Sequence, residues 1–294
     1  MSNDRVLQVI HETATSYGAR VEVAGHVAYL CPRPSDRQRV ESFDLAITPA
    51  PSQRNSAPDA FGNVRTCFAL YTPHEALQVQ SSSCVRLLSA LLPDPAASVP
   101  WEVVARRLRY VAGAPFEPAA EFSYASPFVP LVKALRSYAA ESFPAQRPYL
   151  AGAIELMHRI HADFAYQSGV TEINTPLTQV FEQRRGVCQD FAHLMIGCLR
   201  VLGLPARYVS GYLLTNPPAG QPRLLGADAS HAWVSVWCPA LGWNDLDPTN
   251  DVRVDISHVA AAVGRDYGDV MPLRGVIQGG GEHTLSVAVS VVPV

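Results

Sequence analysis

The sequence predicts an α+β fold, and three stretches of patterning predict it. Over the first ~90 residues apolar and polar side chains alternate with period two, the mark of half-buried strands. After Cys188 the apolar residues Phe191, Leu194, Met195, Cys198, Leu199 and Leu202 recur at helical spacing. From Ser230 the alternation returns: Ala232, Val234, Val236 and Cys238 fall on one face, His231, Trp233, Ser235 and Trp237 on the other.

In chain order, residues 20–24 alternate, Gly25 reads as a turn or bulge, and residues 26–30 resume an extended apolar run. Residues 40–48 place Phe43, Leu45 and Ile47 on one face, and residues 64–71 do the same with Val64, Thr66, Phe68 and Leu70. Phe61-Gly62-Asn63-Val64 has the composition of a tight turn into that run. A small antiparallel sheet or sandwich follows, with no catalytic constellation; packing or substrate shaping is the role it suggests. Residues 91–130 are proline-rich and irregular apart from a helical patch near 101–111. Two helices are expected over 131–143 and 148–164, with Pro148 in the first turn of the second, where its missing N–H costs nothing. The helix from Cys188 runs to about Leu202 and stops at Gly203 and Pro205. Strands then cover 206–214, 230–238 and a short run ending at Asp247-Pro248, and a last one covers 284–292. Gly279-Gly280-Gly281 lacks the Lys-Ser or Lys-Thr of a phosphate cradle and reads as a hairpin turn. The organisation expected is an N-terminal β-domain over 1–88 and a core over 89–294 with a C-terminal β extension.

Composition narrows the function classes. Of 294 residues 48% are hydrophobic and 17% charged, as in a globular protein, and the formal net charge of −3 gives no electrostatic case for nucleic acid or an anionic membrane. Lys133 is the single lysine. No run is long and apolar enough to span a bilayer, and the stretch from Val6 to Ile10 is too short for a signal peptide. The six cysteines are scattered without a Cys-x-x-Cys pair, which fits reduced thiols and a cytoplasmic location.

The chemistry concentrates in three segments: Arg185-Gly186-Val187-Cys188-Gln189-Asp190-Phe191, Ser230-His231-Ala232-Trp233-Val234 and Trp243-Asn244-Asp245-Leu246-Asp247-Pro248-Thr249. A thiol at a helix N-terminus is favoured as thiolate by the dipole and free N–H groups, and those groups can also hold an oxyanion. An imidazole in reach can take and return the thiol proton, and a carboxylate behind it fixes the tautomer. Cys188, His231 and an aspartate can supply these groups; Asp245 and Asp247 share strand parity, so pattern alone leaves the carboxylate open. Each residue also has a plain structural role: a buried small hydrophobe, a satisfied strand histidine, a turn former. Cys188, His193 and Cys198 do not share one helix face, and Asp245, Asp247, Asp251 and Asp255 form no calcium loop, so no metal and no cofactor are expected.

At these motifs the chain resembles the bacterial transglutaminase-like family, whose members are provisionally described as cysteine proteases. The resemblance rests on Arg184-Arg185-Gly186-Val187-Cys188-Gln189-Asp190-Phe191-Ala192-His193 and Gly203-Leu204-Pro205-Ala206-Arg207-Tyr208-Val209-Ser210-Gly211-Tyr212. It extends over Gly226-Ala227-Asp228-Ala229-Ser230-His231-Ala232-Trp233-Val234, Asp247-Pro248-Thr249-Asn250 and Val263-Gly264-Arg265-Asp266-Tyr267. The first ~85 residues resemble the family's N-terminal β-domain. The resemblance implies a papain-like core of helices packed on an antiparallel sheet, with a Cys188-His231-Asp247 triad, and it selects Asp247 over Asp245. It also implies that Asp190, His193, Asp228, Trp233, Asp266 and Tyr267 line or brace the site. Ser235 and Trp237 stand where relatives often carry an acidic residue and a smaller aromatic, so Trp237 is expected to narrow the cleft if it faces it. The implied reaction is thioester formation at Cys188, followed by hydrolysis of a peptide or amide; transfer to an amine and non-catalytic peptide binding or assembly are the alternatives. The partner expected is a peptide, protein or small amide substrate. Residues 216–226, rich in proline and glycine before the His231 strand, are the candidate lid.

Overall fold

The computed structural model describes residues 4–113, 115–215 and 230–294. Five strands open the chain: β1 (Arg5–Ala28), β2 (Gln38–Thr48), β3 (Gln53–Pro58), β4 (Val64–Leu70) and β5 (His74–Leu87). The alternation expected in 40–48 and 64–71 is present, with Phe43, Leu45, Ile47, Phe68 and Leu70 packed in one cluster. Gly25 is neither turn nor bulge. It lies within β1, paired with Ala69 and Val276, and the register shift falls instead between Val21 and Val23. A glycine in a strand interior can mark close backbone approach rather than a bend.

The middle of the chain is helical: α1 (Trp101–Arg107), α2 (Ala134–Ala140), α3 (Tyr149–Asp163), β6 (Ala165–Tyr166), α4 (Leu177–Gln183), β7 (Arg185–Gly186) and α5 (Cys188–Arg200). Pro148 is the N-cap of α3, whose Tyr149, Leu150, Ala153, Leu156, Met157 and Ile160 are buried. That i, i+3, i+4 spacing gives the helix one apolar stripe. Helix α5 is different: every residue from Asp190 to Arg200 is buried. It is the central element, with other helices on one side and the sheet on the other, and Gly197 leaves room for Leu135 and Leu177. The buried Arg200 is satisfied by the carbonyls of Phe122, Ala206 and Arg265 and the hydroxyl of Ser126. Burial pushes its guanidinium down to about 10, which still leaves it cationic near neutrality.

The remaining elements are β8 (Ala206–Leu213), β9 (Ser230–Cys238), β10 (Gly242–Asp247), β11 (Val252–Arg253), β12 (His258–Gly264), α6 (Tyr267–Val270), β13 (Leu273–Gly279) and β14 (His283–Pro293). Strands β8 to β12 form an antiparallel sheet in the order β11-β10-β9-β8-β12, with α5 packed on β8 and β9. Ala232, Val234, Val236 and Cys238 face α5, as the alternation predicts. Gly279, Gly280 and Gly281 all have positive φ and turn the chain from β13 into β14.

Strands β13 and β14 do not join that sheet. They pair with β1, so the N-terminal sheet has seven strands, completed by the far end of the chain. The two sheets are fastened by buried contacts. Leu7, Val9, Val85, Leu87, Val289 and Val291 pack against Tyr212, Val259 and Ala261. Strand β12, at the edge of its sheet, meets side-chain amides instead of another strand. Asn63 accepts from the Val263 N–H and donates to its carbonyl, both buried, and Gln38 does the same with Ala260. An edge strand closed in this way has fewer groups free to recruit another chain.

Candidate active site

The turn into Cys188 is shaped by two local devices. Arg184 ends α4 in the left-handed region (φ 54), and its guanidinium lies over the rings of Tyr138, Phe164 and Phe181. Such cation–π contacts hold the reversal in place. Asp190, in the first turn of α5, reaches back so that Oδ2 accepts the Val187 N–H at 2.8 Å and the Thr171 hydroxyl at 2.7 Å. Burial pushes the Asp190 carboxyl up, opposed by those two hydrogen bonds. Cys188 is left half-buried at the first position of a thirteen-residue helix. The N–H groups of a first helical turn lack intrahelical partners and point toward whatever binds there.

Strands β9 and β10 bring the other two residues together. His231 Nε2 lies 2.7 Å from Asp247 Oδ2. Burial opposes the imidazolium, but hydrogen bonds to Asp247 and to Cys188, with the charges of both, outweigh it and lift His231 from 6.5 to about 10. Asp247 is fully buried. Burial favours its neutral form, yet donors from His231, His258 and Asn250 hold it well below the usual carboxylate range. Its Oδ1 accepts the N–H groups of Thr249 and Asn250, so both oxygens are anchored. Asp245 is engaged elsewhere: its Oδ2 accepts the indole N–H of Trp233 at 3.2 Å.

Two residues at Asp247 escaped the sequence reading. Asn250 Nδ2 donates to Oδ2 at 2.7 Å, and His258 Nε2 lies 3.1 Å from the same oxygen. Burial lowers His258, but Asp247 and Asp255 raise it by more. The signal was Asp255-Ile256-Ser257-His258 opening the apolar run of β12, a strand not recognised from pattern. His231, Asp247 and His258 gather three ligand-type atoms within 4.8 Å. The hydrogen bonds from both imidazoles to one carboxylate account for that approach without a metal ion.

The supporting residues divide. His193, buried and pushed down to about 3 by burial and then by the charge of Arg200, is neutral, and its Nε2 accepts the Tyr267 N–H at 3.1 Å. Asp266 caps α6 through the Gly268 N–H and takes the Phe128 N–H on its other oxygen. Trp233 is fully buried, tilted against His231 with ring centroids 6.1 Å apart and edge-on to His258 at 5.3 Å. Trp237 shares a cleft of about 700 Å³ with Phe61, Phe122, Arg207 and Trp243 that none of Cys188, His231 and Asp247 lines. Asp228 and the candidate lid at 216–226 lie outside the described residues.

Known proteins carry the same two parts. The model of the transglutaminase-like superfamily matches residues 136–248, and that of the bacterial transglutaminase-like N-terminal region matches residues 7–86. An uncharacterized protein of Mycobacterium tuberculosis is 41% identical over 301 residues, spanning 100% of this chain and 94% of its own length. The chain belongs to the transglutaminase-like superfamily. A Mycobacterium leprae relative, also uncharacterized, is 32% identical across 97% of the chain and 98% of its own length. This superfamily member also shares its fold with a Cytophaga hutchinsonii protein provisionally described as a cysteine protease: TM-score 0.75 at 19% identity, covering 99% of this chain and 91% of that one. A shorter likeness, 42% identity over 74 residues, is to a protein-glutamine gamma-glutamyltransferase of Pseudomonas aeruginosa; it covers 25% of this chain and 11% of that protein. Membership in the superfamily and the shared fold support an enzyme. No helix among the described residues is long and apolar enough to cross a membrane.

Proposed function

We propose that the protein is a cysteine-dependent acyl-transfer enzyme that hydrolyses peptide or amide bonds through a thioester at Cys188. The observation that carries this reading is the 2.7 Å pairing of His231 with the buried, anchored Asp247, with His231 also tied to Cys188. The Cys188 sulfur attacks the amide carbonyl carbon, and the oxyanion is held by first-turn N–H groups of α5. The C–N bond then breaks, the amine leaves with the proton held by His231, and the acyl group stays on sulfur. His231 next takes a proton from water, whose oxygen attacks the thioester; the acid departs and the proton returns to the thiol. Asp247 remains ionised and holds the imidazole ring, with Asn250 and His258 holding Asp247.

Transfer to an amine in place of water is the second reading, favoured by the Pseudomonas aeruginosa relative. The reading includes a peptide, protein or small amide as substrate, no role for nucleic acid or membrane, and a cytoplasmic location, which the six free cysteines support.

The test is iodoacetamide labelling across pH of the wild type, His231→Ala and Cys188→Ala, with the labelled residue mapped by mass. Labelling of Cys188 faster than that of the other half-buried thiols, Cys31, Cys67 and Cys84, slowed at least tenfold in His231→Ala, is expected. Labelling of Cys188 at the rate of an ordinary exposed thiol in both proteins overturns the reading. Peptide amides incubated with and without a primary amine then separate acid from transamidated product.

A further inference from the structure

The concave side of the N-terminal sheet encloses a cavity of about 340 Å³, within the ~300–1,000 Å³ typical of ligand sites. Strand β1 lines it with His11, Thr13, Thr15 and Tyr17, consecutive odd positions and therefore one face of the strand. The β13–β14 hairpin, paired with β1 in the same sheet, continues the lining with Arg274, Ile277, Leu285 and Val287 among its residues. The catalytic core contributes two lining residues. Ser230, next in sequence to His231, and Tyr267, whose N–H is held by His193 of the Cys188 helix, both line the cavity.

We infer that this cavity is the substrate subsite that receives the uncharged or acidic side chains of the acyl-donating peptide and turns away cationic ones. The inference rests on the acyl-transfer reading only for the direction of the bound chain toward Cys188.

The lining argues for this selectivity. Leu77, Leu285 and Val287 flank Thr13 and Thr15 in register on the sheet, a mixed apolar and hydroxyl surface suited to a side chain with some apolar surface. His11 is closed off, its two ring nitrogens meeting Tyr212 Oη and Thr13 Oγ1 at 3.1 Å each. His26 is not: its Nε2 is buried without a hydrogen-bond partner, and the ring has room only because residue 275 is glycine. Burial pushes both His11 and His26 down to about 4, with the neighbouring His74 adding to the effect on His26, so both are neutral near pH 7. Arg274 is then the one permanently charged side chain among the described lining residues, and its Nη1 donates to the carbonyl of Gly268, next in sequence to Tyr267. A guanidinium without a carboxylate in the lining attracts an anion, tolerates a neutral group and repels an ammonium. The arrangement also gives the N-terminal sheet and the returning C-terminal hairpin a shared task, since neither encloses the cavity alone.

The experiment uses the full chain carrying Cys188→Ala, so that binding is read without turnover. Three blocked tripeptides, acetyl-Ala-Xaa-Ala-amide with Xaa Met, Glu or Lys, are titrated by calorimetry. The Met and Glu peptides are expected to bind at least tenfold more tightly than the Lys peptide. Adding Thr15→Trp, which fills the cavity from β1, should weaken all binding at least tenfold. Adding Arg274→Glu, an exposed change that spares the packed interior, should reverse the order of Glu and Lys. Affinities that ignore Arg274→Glu, or no binding of any peptide at millimolar concentration, overturn the subsite. Iodoacetamide labelling of Cys188 in chains carrying Thr15→Trp or Arg274→Glu alone is the control. An inert thiol with peptides still bound removes the chemistry and leaves the subsite, whereas a reactive thiol with no binding does the reverse.

Discussion

Replacing Asp247 with Asn removes the negative charge behind His231 while nearly preserving shape. The rise of His231 from 6.5 to about 10, at ~1.36 kcal/mol per pH unit, is a net preference of about 5 kcal/mol for the charged ring, left after its partners have offset burial. Cys188 shares that role with Asp247, and breaking one side of a buried ion pair typically costs about 3–5 kcal/mol. A loss of roughly 3 kcal/mol near pH 6.5 is therefore expected for Asp247→Asn. The pH dependence gives the sharper test. Because the folded value of His231 lies above its unfolded one, its stabilisation is complete below pH 6.5 and fades as pH rises toward about 10. The gap between wild type and variant should be widest at pH 6.5 and close progressively toward pH 10. Urea denaturation followed by tryptophan fluorescence at pH 6.5, 8 and 9.5, with unchanged m-values, measures it. A gap constant across that window would refute the reasoning and assign the loss to packing and neutral hydrogen bonds.

Two further outcomes follow from the packing. In Gly211→Ala the added methyl would meet the Val259 carbonyl and the Trp233 ring, so overpacking by about 1–3 kcal/mol is expected, read as a lowered urea midpoint; an unchanged midpoint would mean that β8 and β12 slide apart at no cost. Asn63→Leu leaves the N–H and carbonyl of Val263 without their buried partners, and about 2–5 kcal/mol should be lost. Faster hydrogen exchange confined to the Val263 amide, with no drop in the denaturation midpoint, would show the Asn63 bonds to be dispensable.

Much of the fold near Cys188 was legible because it is local. The helical spacing after Cys188, the stop at Gly203 and the alternation from Ser230 depend on neighbours two to four residues apart, and their faces are buried as the pattern requires. Helix α4 was missed because its buried residues are one i, i+3 pair, Leu177 and Val180, too few to show a period. Strand β1 was read only in part, and Gly25 was misread, because the partners that carry it straight through are Ala69 and Val276. His258 was missed because its importance lies in an oxygen eleven residues away on another strand.

The sequence alone determined which chemical groups are present and which local elements carry them: a thiol opening a helix, an imidazole on an alternating strand, two aspartates at the end of the next. Propensity, capping and periodicity act over a few residues and can be read from one chain. Strand parity left Asp245 and Asp247 equal and the family resemblance pointed to Asp247; the tertiary structure supplies the physical reason, since Asp245 finds an indole N–H across the sheet and Asp247 finds the His231 imidazole. It also decided that the last twenty or so residues complete the first sheet and help enclose a cavity beside His231. Pairings across more than two hundred and forty residues leave no periodic trace in either strand, because each strand needs only an apolar face and an open edge, and the fold supplies the partner.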